Sequence, residues 1–278
     1  MRACVATDLP IDGAPWLVPD VDLAEGHSLV EEHAGRVVAA GLRRRTRSTN
    51  AFDGGELFCL PGHGAAVLRA LIAADERSPV GLRVLPGSAT AAAVAEVGGA
   101  EVLQRVPAGA VPTGHADVLE WARGRLEDAE QAGVELRPGT ELAVEELLDL
   151  WMPAYVRMHE HWAPVSDENL MREVFRDLFA GTLRQQDTFV AAVAGHPVAA
   201  TFMNAYDGVL VPLMIETAPG HPAAETAGAA SMAAMIRSVS PRPVEFEGHA
   251  DEPTYMRILE TIPHVAAGDL TPMDFVRI

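Results

Sequence analysis

Residues 62–72 are Gly62-His63-Gly64-Ala65-Ala66-Val67-Leu68-Arg69-Ala70-Leu71-Ile72, two glycines followed by an apolar run. The apolar residues 57–60 directly before them predict a strand, so the pattern is strand, tight turn and helix. Since glycine has no side chain, such a turn lets backbone N–H groups approach a ligand, and the helix N-terminus favours a phosphate. A tight strand-to-helix turn without any ligand explains the same residues equally well.

The elements after this turn have a familiar order. A strand is predicted over 80–85, a helix over 90–97 and a further strand ending near 106. This order resembles the core of the GNAT superfamily of N-acyltransferases, in which a strand ends in a Gly-rich turn that holds the pyrophosphate of acyl-CoA. The family pattern is Arg or Gln, two residues, Gly, one residue, then Gly or Ala. Gly62 and Gly64 match its last two positions, and Cys59 stands at the first. The resemblance implies that Gly62, Gly64 and Ala65 bind the cofactor.

The second half of the chain predicts a longer set of elements. Their order over 134–278 resembles the complete GNAT order, and residues 27–106 resemble its later part. We therefore predict an α/β protein with mixed sheets in two tandem GNAT-like units. An incomplete N-terminal unit spans 1–110, a connecting linker and helix span 111–133, and a C-terminal unit spans 134–278. The predicted strands of the second half are 134–140, 187–194, 198–205, 208–215, 243–248 and 272–278, and its helices are 144–159, 167–180, 229–239 and 252–262.

The residues before the glycine turn contain no predicted catalytic or binding residue. Residues 1–26 contain three prolines among acidic residues and are expected to be irregular. Residues 27–44 predict a hairpin whose turn is His33-Ala34-Gly35. The basic cluster over 43–47 is capable of touching phosphate, but a solvated strand end or loop is the simpler interpretation.

Composition and charge exclude several classes of protein. All 21 basic residues are arginine, so no lysine can act as a nucleophile or form a Schiff base. The net charge of −18 opposes binding of nucleic acid over most of the surface. Two cysteines, Cys4 and Cys59, make no disulfide framework, the apolar runs are too short to span a bilayer, and no secretory signal is visible. We expect a cytoplasmic protein that acts on a small molecule, with no prediction of its oligomeric state.

The resemblance implies a proton acceptor and a proton donor on either side of the attacked carbonyl. Tyr255 occupies the position at which the family often has a tyrosine that protonates the departing thiolate. Glu216 follows the strand 208–215, where the family often has its base. An aromatic residue packed on a helix face and a surface carboxylate are the alternative explanations.

The glycine turn of the second unit differs from that of the first. Residues 220–228 contain Gly220 but no Gly-x-Gly, Pro222 removes one N–H donor, and Glu225 would repel phosphate. Gly220 is nevertheless the predicted cofactor-binding residue of this unit. Two interpretations stay open. The units share the work, with the ligand in one and the chemistry in the other, or one or both have left acyl-CoA chemistry.

Histidines and carboxylates predict a polar pocket in the second unit. Alternation along the strand 243–248 places Glu245, Glu247 and His249 on one face, and a buried face of this kind is costly unless its groups are paired or functional. The helix end at His159, His161 and Trp162 lies where the family has its acceptor site. These three residues and Glu245 are the predicted substrate-binding residues. A solvent-facing acidic strand is the alternative, and no metal is expected because no pair of histidines has the i, i+4 spacing.

The function that we predict is transfer of an acyl group from a thioester, acyl-CoA or acetyl-CoA, to an amine in a biosynthetic pathway. Glu216, Glu247 or His249 is the expected base and Tyr255 the expected acid. The negative charge favours a cationic amine acceptor. The alternatives are a GNAT-fold cyclase, lyase or decarboxylase, an aminoacyl-tRNA-dependent transferase, which the charge opposes, and a non-catalytic binding module.

Overall fold

A computed structural model describes residues 1–3, 27–46, 48–75, 78–106, 109–206, 208–263, 265 and 273–278. Most of the predicted irregular segment 1–26, with Cys4, and Arg47 of the basic cluster lie outside these residues. The described part of the chain contains no helix both long and apolar enough to cross a membrane. The chain divides into two compact units. Unit 1 comprises 1–105, 161–166 and 272–278, and unit 2 comprises 106–160 and 167–271.

The described residues form both strands and helices. The strands are β1 (Arg2–Ala3), β2 (His27–His33), β3 (Arg36–Arg44), β4 (Asp53–Cys59), β5 (Val80–Val84), β6 (Glu101–Val106), β7 (Gly109–Val111), β8 (Val134–Pro138), β9 (Phe189–Val193), β10 (His196–Tyr206), β11 (Val209–Glu216), β12 (Val244–Phe246) and β13 (Met273–Arg277). The helices are α1 (Ala65–Ala74), α2 (Ala89–Val97), α3 (Ala116–Gln131), α4 (Val144–His159), α5 (Glu168–Thr182), α6 (Ala224–Val239) and α7 (Pro253–Thr261), with short 3₁₀ turns at Gly139–Glu141 and Gln185–Asp187.

Unit 1 is built on a seven-stranded sheet in the order β1-β2-β3-β4-β5-β13-β6. The predicted hairpin is confirmed, because β2 and β3 pair antiparallel around Ala34 and Gly35, which both have positive φ. The predicted strand, glycine turn and helix at 57–72 are confirmed as β4, its turn and α1. The apolar residues of α1, among them Val67 and Leu71, are fully buried in a core with β5 and α2.

The last strand corrects the predicted domain organisation. The sequence order assigned 272–278 to the C-terminal unit, but β13 pairs antiparallel with β5 in unit 1, over Asp274–Arg277 and Gly81–Val84. Asp274 also accepts a 3.1 Å hydrogen bond from Arg105 Nε on β6. In the sheet, β13 lies between β5 and β6, and the side chain of its residue Val276 is buried. The structural units therefore differ from the predicted 1–110, 111–133 and 134–278.

Unit 2 contains a four-stranded antiparallel sheet, β11-β10-β9-β8, and a two-stranded sheet, β12-β7. Helix α6 packs on β10, and α3, predicted as part of a linker, packs on α6. Helix α6 starts at Ala224 and not at 229, because the small residues there permit close packing. A Cβ on Gly228 would stand 2.8 Å from Ile258 Cδ1 of α7.

Each unit has a place where neighbouring strands are not paired. In unit 1, the parallel pairing of β4 with β5 covers Asp53–Gly55 and Val80–Leu82 and goes no further. In unit 2, β11 lies beside β12, yet within the described residues it pairs only with β10. Backbone groups on such edges need other partners or a ligand. These two openings are where the fold presents polar backbone to a guest.

The basic cluster of unit 1 was expected to be solvated, and for Arg43 this is wrong. Arg43 is only 2% exposed. Its Nε and Nη2 donate to Asp53 Oδ2 at 2.9 and 2.8 Å. Its guanidinium also donates to four backbone carbonyls around the end of α1, those of Leu71, Ile72, Asp75 and Ser78. Arg43 thus ties β3 to β4 and to the C-terminus of α1, where a positive charge is favourable.

Replacing Arg43 is expected to destabilise unit 1. Arg43→Met leaves the Asp53 carboxylate and the carbonyls without their donor, and breaking a buried ion pair costs about 3–5 kcal/mol. Arg43→Lys should rescue little, since an ammonium has too few donors for these acceptors. Hydrogen exchange of β3 and β4, read by mass spectrometry, measures the loss. The exposed neighbour Arg44 is the control, and Arg44→Met should change stability by less than about 0.5 kcal/mol. Equal effects of the two variants would contradict the assignment.

Candidate functional site

The unpaired edge of β11 in unit 2 ends in a polar cluster. Arg157 on α4 donates from Nη2 to the backbone carbonyl of Glu216, the last residue of β11, at 2.9 Å. The Thr217 amide bonds to Val198 O at 2.9 Å, whereas the Thr217 hydroxyl is buried and finds no hydrogen-bond partner among the described residues. A buried hydroxyl in this state is costly unless a ligand or water completes it. The end of β11 therefore offers a donor to a guest.

His159 lies at the end of α4 and contributes a neutral imidazole. Its Nδ1 stands 2.8 Å from the carbonyl oxygen of Tyr155, which only accepts, so we assign the proton to Nδ1. The pKa of His159 is lowered to about 4, chiefly by burial and to a smaller extent by the nearby His249, while the hydrogen bond to Tyr155 and the charge of Asp251 act in the opposite direction. The ring is therefore uncharged at neutral pH, with Nε2 as its unprotonated nitrogen.

Aromatic rings surround this imidazole. The Tyr155 ring lies 3.9 Å from the His159 ring between centroids, and the His249 ring meets it edge-on at 4.9 Å. Burial raises the pKa of Tyr155 to about 12, so its phenol stays protonated. Of the predicted residues, the structure thus brings His159 and His249 together.

The turn before α7 adds carboxylates that sequence reasoning missed. The Glu252 amide donates to His249 O at 3.1 Å, which closes a turn ahead of Pro253. Burial raises the pKa of Glu252, Arg157 opposes this, and the charges of Asp251 and Glu216 reinforce it. Glutamate directly before a proline at a helix start was the available signal. Together, Glu216, Asp251, Glu252 and Arg157 form a cluster of three carboxylates and one guanidinium, which has an excess of negative charge.

Tyr255 is placed as a structural residue. It is 3% exposed, and its hydroxyl donates to the backbone carbonyl of Glu247 at 2.9 Å. Burial, with the charge of Glu247, raises its pKa well above the ordinary range. The ring lies on Gly248, where a Cβ would stand 2.3 Å from Cε1. The hydroxyl that was predicted to serve as the acid is thus buried and already donates to the protein backbone.

The predicted acidic strand face is not formed as expected. Strand β12 ends at Phe246, so the alternation that would place Glu245, Glu247 and His249 on one face stops there. Glu245 is exposed on β12 opposite Ala110 of β7, and Glu247 is half-buried in the following turn. A short edge strand lacks the length to carry such a face.

The predicted substrate wall at the end of α4 is divided between the units. His159 and Glu245 belong to unit 2, whereas His161 and Trp162 belong to unit 1. Helix α4 ends at His159, so the two residues after Glu160 leave its axis. His161 is exposed, and the Trp162 ring lies 5.2 Å from the Phe275 ring of β13. Helical continuity therefore does not extend the site to these two residues.

The glycine turn of unit 1 has the conformation that the sequence predicts. Gly62 and Gly64 have φ of +81° and +95°, and Gly64 is the N-cap of α1, ahead of the buried Ala65. A Cβ on Gly64 would lie 2.8 Å from Cys59 Sγ, so only glycine fits. This turn already holds an anion of the protein itself, because Glu31 Oε2 accepts from Gly64 N at 3.3 Å.

In the glycine turn of unit 2, at residues 220–224, a histidine side chain accepts the backbone hydrogen bond. Gly220 has φ of +75° with open space around its Cα. His221 Nδ1 accepts from the Ala223 amide at 3.1 Å, and His221 O accepts from the Ala224 amide at 2.9 Å. Glu225, which was expected to repel phosphate, is ion-paired with Arg257 at 2.8 Å. The acceptor side chain at this turn is therefore an imidazole and not a carboxylate.

Among the described residues, no group of three or more histidine, cysteine, aspartate or glutamate side chains is placed to hold an ion.

Comparison with solved structures identifies the architecture. A GCN5-related N-acetyltransferase from Sphaerobacter thermophilus is similar over 100% of this chain and 94% of its own, with a TM-score of 0.61 and 13% identity. A tandem GNAT protein from the clavulanic acid biosynthesis pathway is similar over 91% and 82%, with a TM-score of 0.52 and 13% identity. The chain has a tandem GNAT fold. A GNAT-like protein from Streptococcus suis is similar over 91% and 90%, with a TM-score of 0.50 and 13% identity.

The sequence comparisons add no closer relative of this GNAT-fold chain. No family model matches it, and no curated protein matches it in sequence. At 13% identity the structural likeness shows the fold alone. Function in a tandem GNAT fold has to be argued from the polar groups at its two openings.

Tyr255→Phe tests the structural role of this tyrosine. Removing the hydroxyl leaves the buried Glu247 carbonyl without its donor, so unit 2 should lose about 1–3 kcal/mol of unfolding free energy in urea. Tyr206 is exposed on β10, and Tyr206→Phe is the matched control with an expected change below about 0.5 kcal/mol. Unchanged stability of Tyr255→Phe would return this hydroxyl to the list of candidate acids.

His159 gives unit 2 a specific pH dependence. The folded pKa of about 4 lies below the ordinary value of 6.5, so the unfolded chain binds more protons between these values and stability falls as pH falls through that window. His159→Asn keeps a donor near Tyr155 O but does not titrate. Wild type should lose up to about 1.4 kcal/mol more than this variant per pH unit, measured by hydrogen exchange of α4. The exposed His196 is the control, and a difference independent of pH would refute the neutral assignment.

Proposed function

We propose that the protein transfers an acyl group from acyl-CoA to the amine of a small, cationic molecule, and that unit 2 carries the reaction. The observation that supports this most is the polar cluster at the unpaired end of β11 in a GNAT fold. It contains a buried hydroxyl without a described partner, three carboxylates and the neutral imidazole of His159. An acyltransferase needs an open strand edge and a proton acceptor at one place.

The turn of unit 2 fits a diphosphate. By helix geometry the amides of Glu225 and Thr226 have no acceptor inside α6, so they are available to an anion. Arg257 offsets the charge of Glu225. His221 accepts from the Ala223 amide at Nδ1, so its Nε2 carries a proton and can donate to an anion. These residues would hold the diphosphate, and the Thr217 hydroxyl would bind beside the strand edge. When bound, acyl-CoA supplies the thioester carbonyl that the amine attacks.

Glu252 is the proton acceptor that we propose, ahead of Glu216, Glu247 and His249. An ammonium group must lose a proton before its nitrogen can attack, and a carboxylate with a raised pKa is better matched to that proton. The same half-buried group would first attract the cation. Arg157, which donates to the Glu216 carbonyl, limits how far the carboxylate pKa rises.

The acceptor class follows from the charges of the cluster. Glu216, Asp251 and Glu252 outnumber the single Arg157, and the chain carries a net charge of −18. Such a field concentrates cations and repels polyanions. This supports a small amine over a nucleic acid as the acceptor.

Glu252→Gln tests the proposed reaction. The experiment combines acetyl-CoA, a panel of primary amines and a thiol-release assay. Loss of a general base should lower kcat by about 10²–10⁴-fold with little change in the KM for acetyl-CoA. Glu252→Asp should retain part of the activity. Glu260 is exposed on the same helix, and Glu260→Gln is the matched control.

Two results would decide against these proposals separately. Calorimetry that finds no binding of acetyl-CoA to the wild-type protein removes acyl transfer from acyl-CoA. Turnover that is unchanged in Glu252→Gln removes only the assignment of the base, and Glu216→Gln is then the next variant to assay.

A further inference from the structure

We propose that Glu31 acts as a built-in anion that closes the glycine turn of unit 1 to phosphate-bearing ligands. Unit 1 then does not bind acyl-CoA, although its Gly-x-Gly is the better match to the cofactor pattern. This inference rests on contacts inside unit 1 and does not depend on the reaction proposed for unit 2.

Both oxygens of the Glu31 carboxylate are engaged at the turn. Oε2 accepts from Gly64 N at 3.3 Å, and Oε1 lies 3.1 Å from Nδ1 of His63. Gly64 is the N-cap of α1, so the carboxylate stands at the positive end of the helix. A phosphate at this turn would need the same amide and the same electrostatic position.

The sheet holds Glu31 in place. Strand β2 pairs with β3, and Glu31 lies opposite Ala39, next to the fully buried Val30. A register shift follows between Glu31 and Glu32. The carboxylate is therefore delivered by a paired strand and not by a loop that swings aside when a ligand arrives.

The carboxylate is also charged. Burial works to raise the pKa of Glu31, but hydrogen bonds from His63 and Gly64, with the charges of His63 and His33, bring it below the ordinary value. Glu31 is thus ionised at neutral pH. A diphosphate at the same helix end would meet a like charge at close range, which is unfavourable even with the donors present.

The strand edge of unit 1 is satisfied internally as well. Leu57 lies in the part of β4 beyond Gly55, where pairing with β5 has ended. Its carbonyl accepts from the Thr90 hydroxyl of α2 at 3.0 Å. In unit 2 the corresponding opening has a hydroxyl, that of Thr217, without a described partner. The polar groups of the unit 1 opening are therefore bonded within the protein at both points.

The test titrates isotope-labelled protein with inorganic pyrophosphate and follows the amides of Gly64 and Ala65 by NMR. In the wild type these amides should show no saturable shift. Glu31→Ala removes the internal anion, so pyrophosphate affinity at the turn should rise at least tenfold. Glu31→Gln keeps nearly the same shape without the charge, and it should also raise the pyrophosphate affinity at the turn. It replaces Glu31→Ala if that variant does not fold.

The matched control is Glu32→Ala, which removes the same charge from the neighbouring residue of β2. It should leave the Gly64 amide unresponsive to pyrophosphate. A saturable shift of Gly64 in the wild type, an equal gain in Glu32→Ala, or no gain in either Glu31 variant would each overturn the proposal. Acetyl-CoA turnover is measured in the same variants as a separate readout of the reaction proposed for unit 2.

Discussion

Incomplete strand pairing is the constraint on which the rest of this structure depends. In unit 1 the pairing of β4 with β5 ends after Gly55, and in unit 2 β11 pairs with β10 but not, within the described residues, with β12. A strand edge inside a protein leaves N–H and C=O groups that must find partners. In unit 1 other residues of the protein supply partners at this edge, whereas in unit 2 the Thr217 hydroxyl has no partner among the described residues.

The first unit satisfies its opening from within. Thr90 supplies a donor to the strand edge, and Glu31 supplies an anion to the helix end. At the other end of α1, the Arg43 guanidinium likewise donates hydrogen bonds to groups of the same unit, namely the last carbonyls of the helix and the Asp53 carboxylate. These internal hydrogen bonds stabilise unit 1 and fix its conformation. The groups that form them are no longer available to bind a ligand.

Local patterns predicted the fold well, and long-range contacts limited the prediction of the site. The glycine turn, α1 and the β2–β3 hairpin were predicted because turn and helix signals lie within a few residues. The position of β13 depends on a gap in a sheet formed far earlier in the chain, which periodicity cannot show. Tyr255 matched a family position, yet its burial depends on Gly248 and the turn around it. Glu31 and Glu252 acquire their roles only through residues that folding brings to them.

The neutrality of His159 leaves the polar cluster of unit 2 with more negative than positive side chains. A protonated imidazole near Asp251 would act as an internal counter-ion and, with Arg157, would offset two of the three carboxylates. Burial against Tyr155 keeps the ring uncharged instead, because desolvation penalises the imidazolium more than Asp251 stabilises it. The excess negative charge of the cluster is thereby retained. The same packing that makes His159 a weak base therefore prevents its imidazole from offsetting the charge of Asp251.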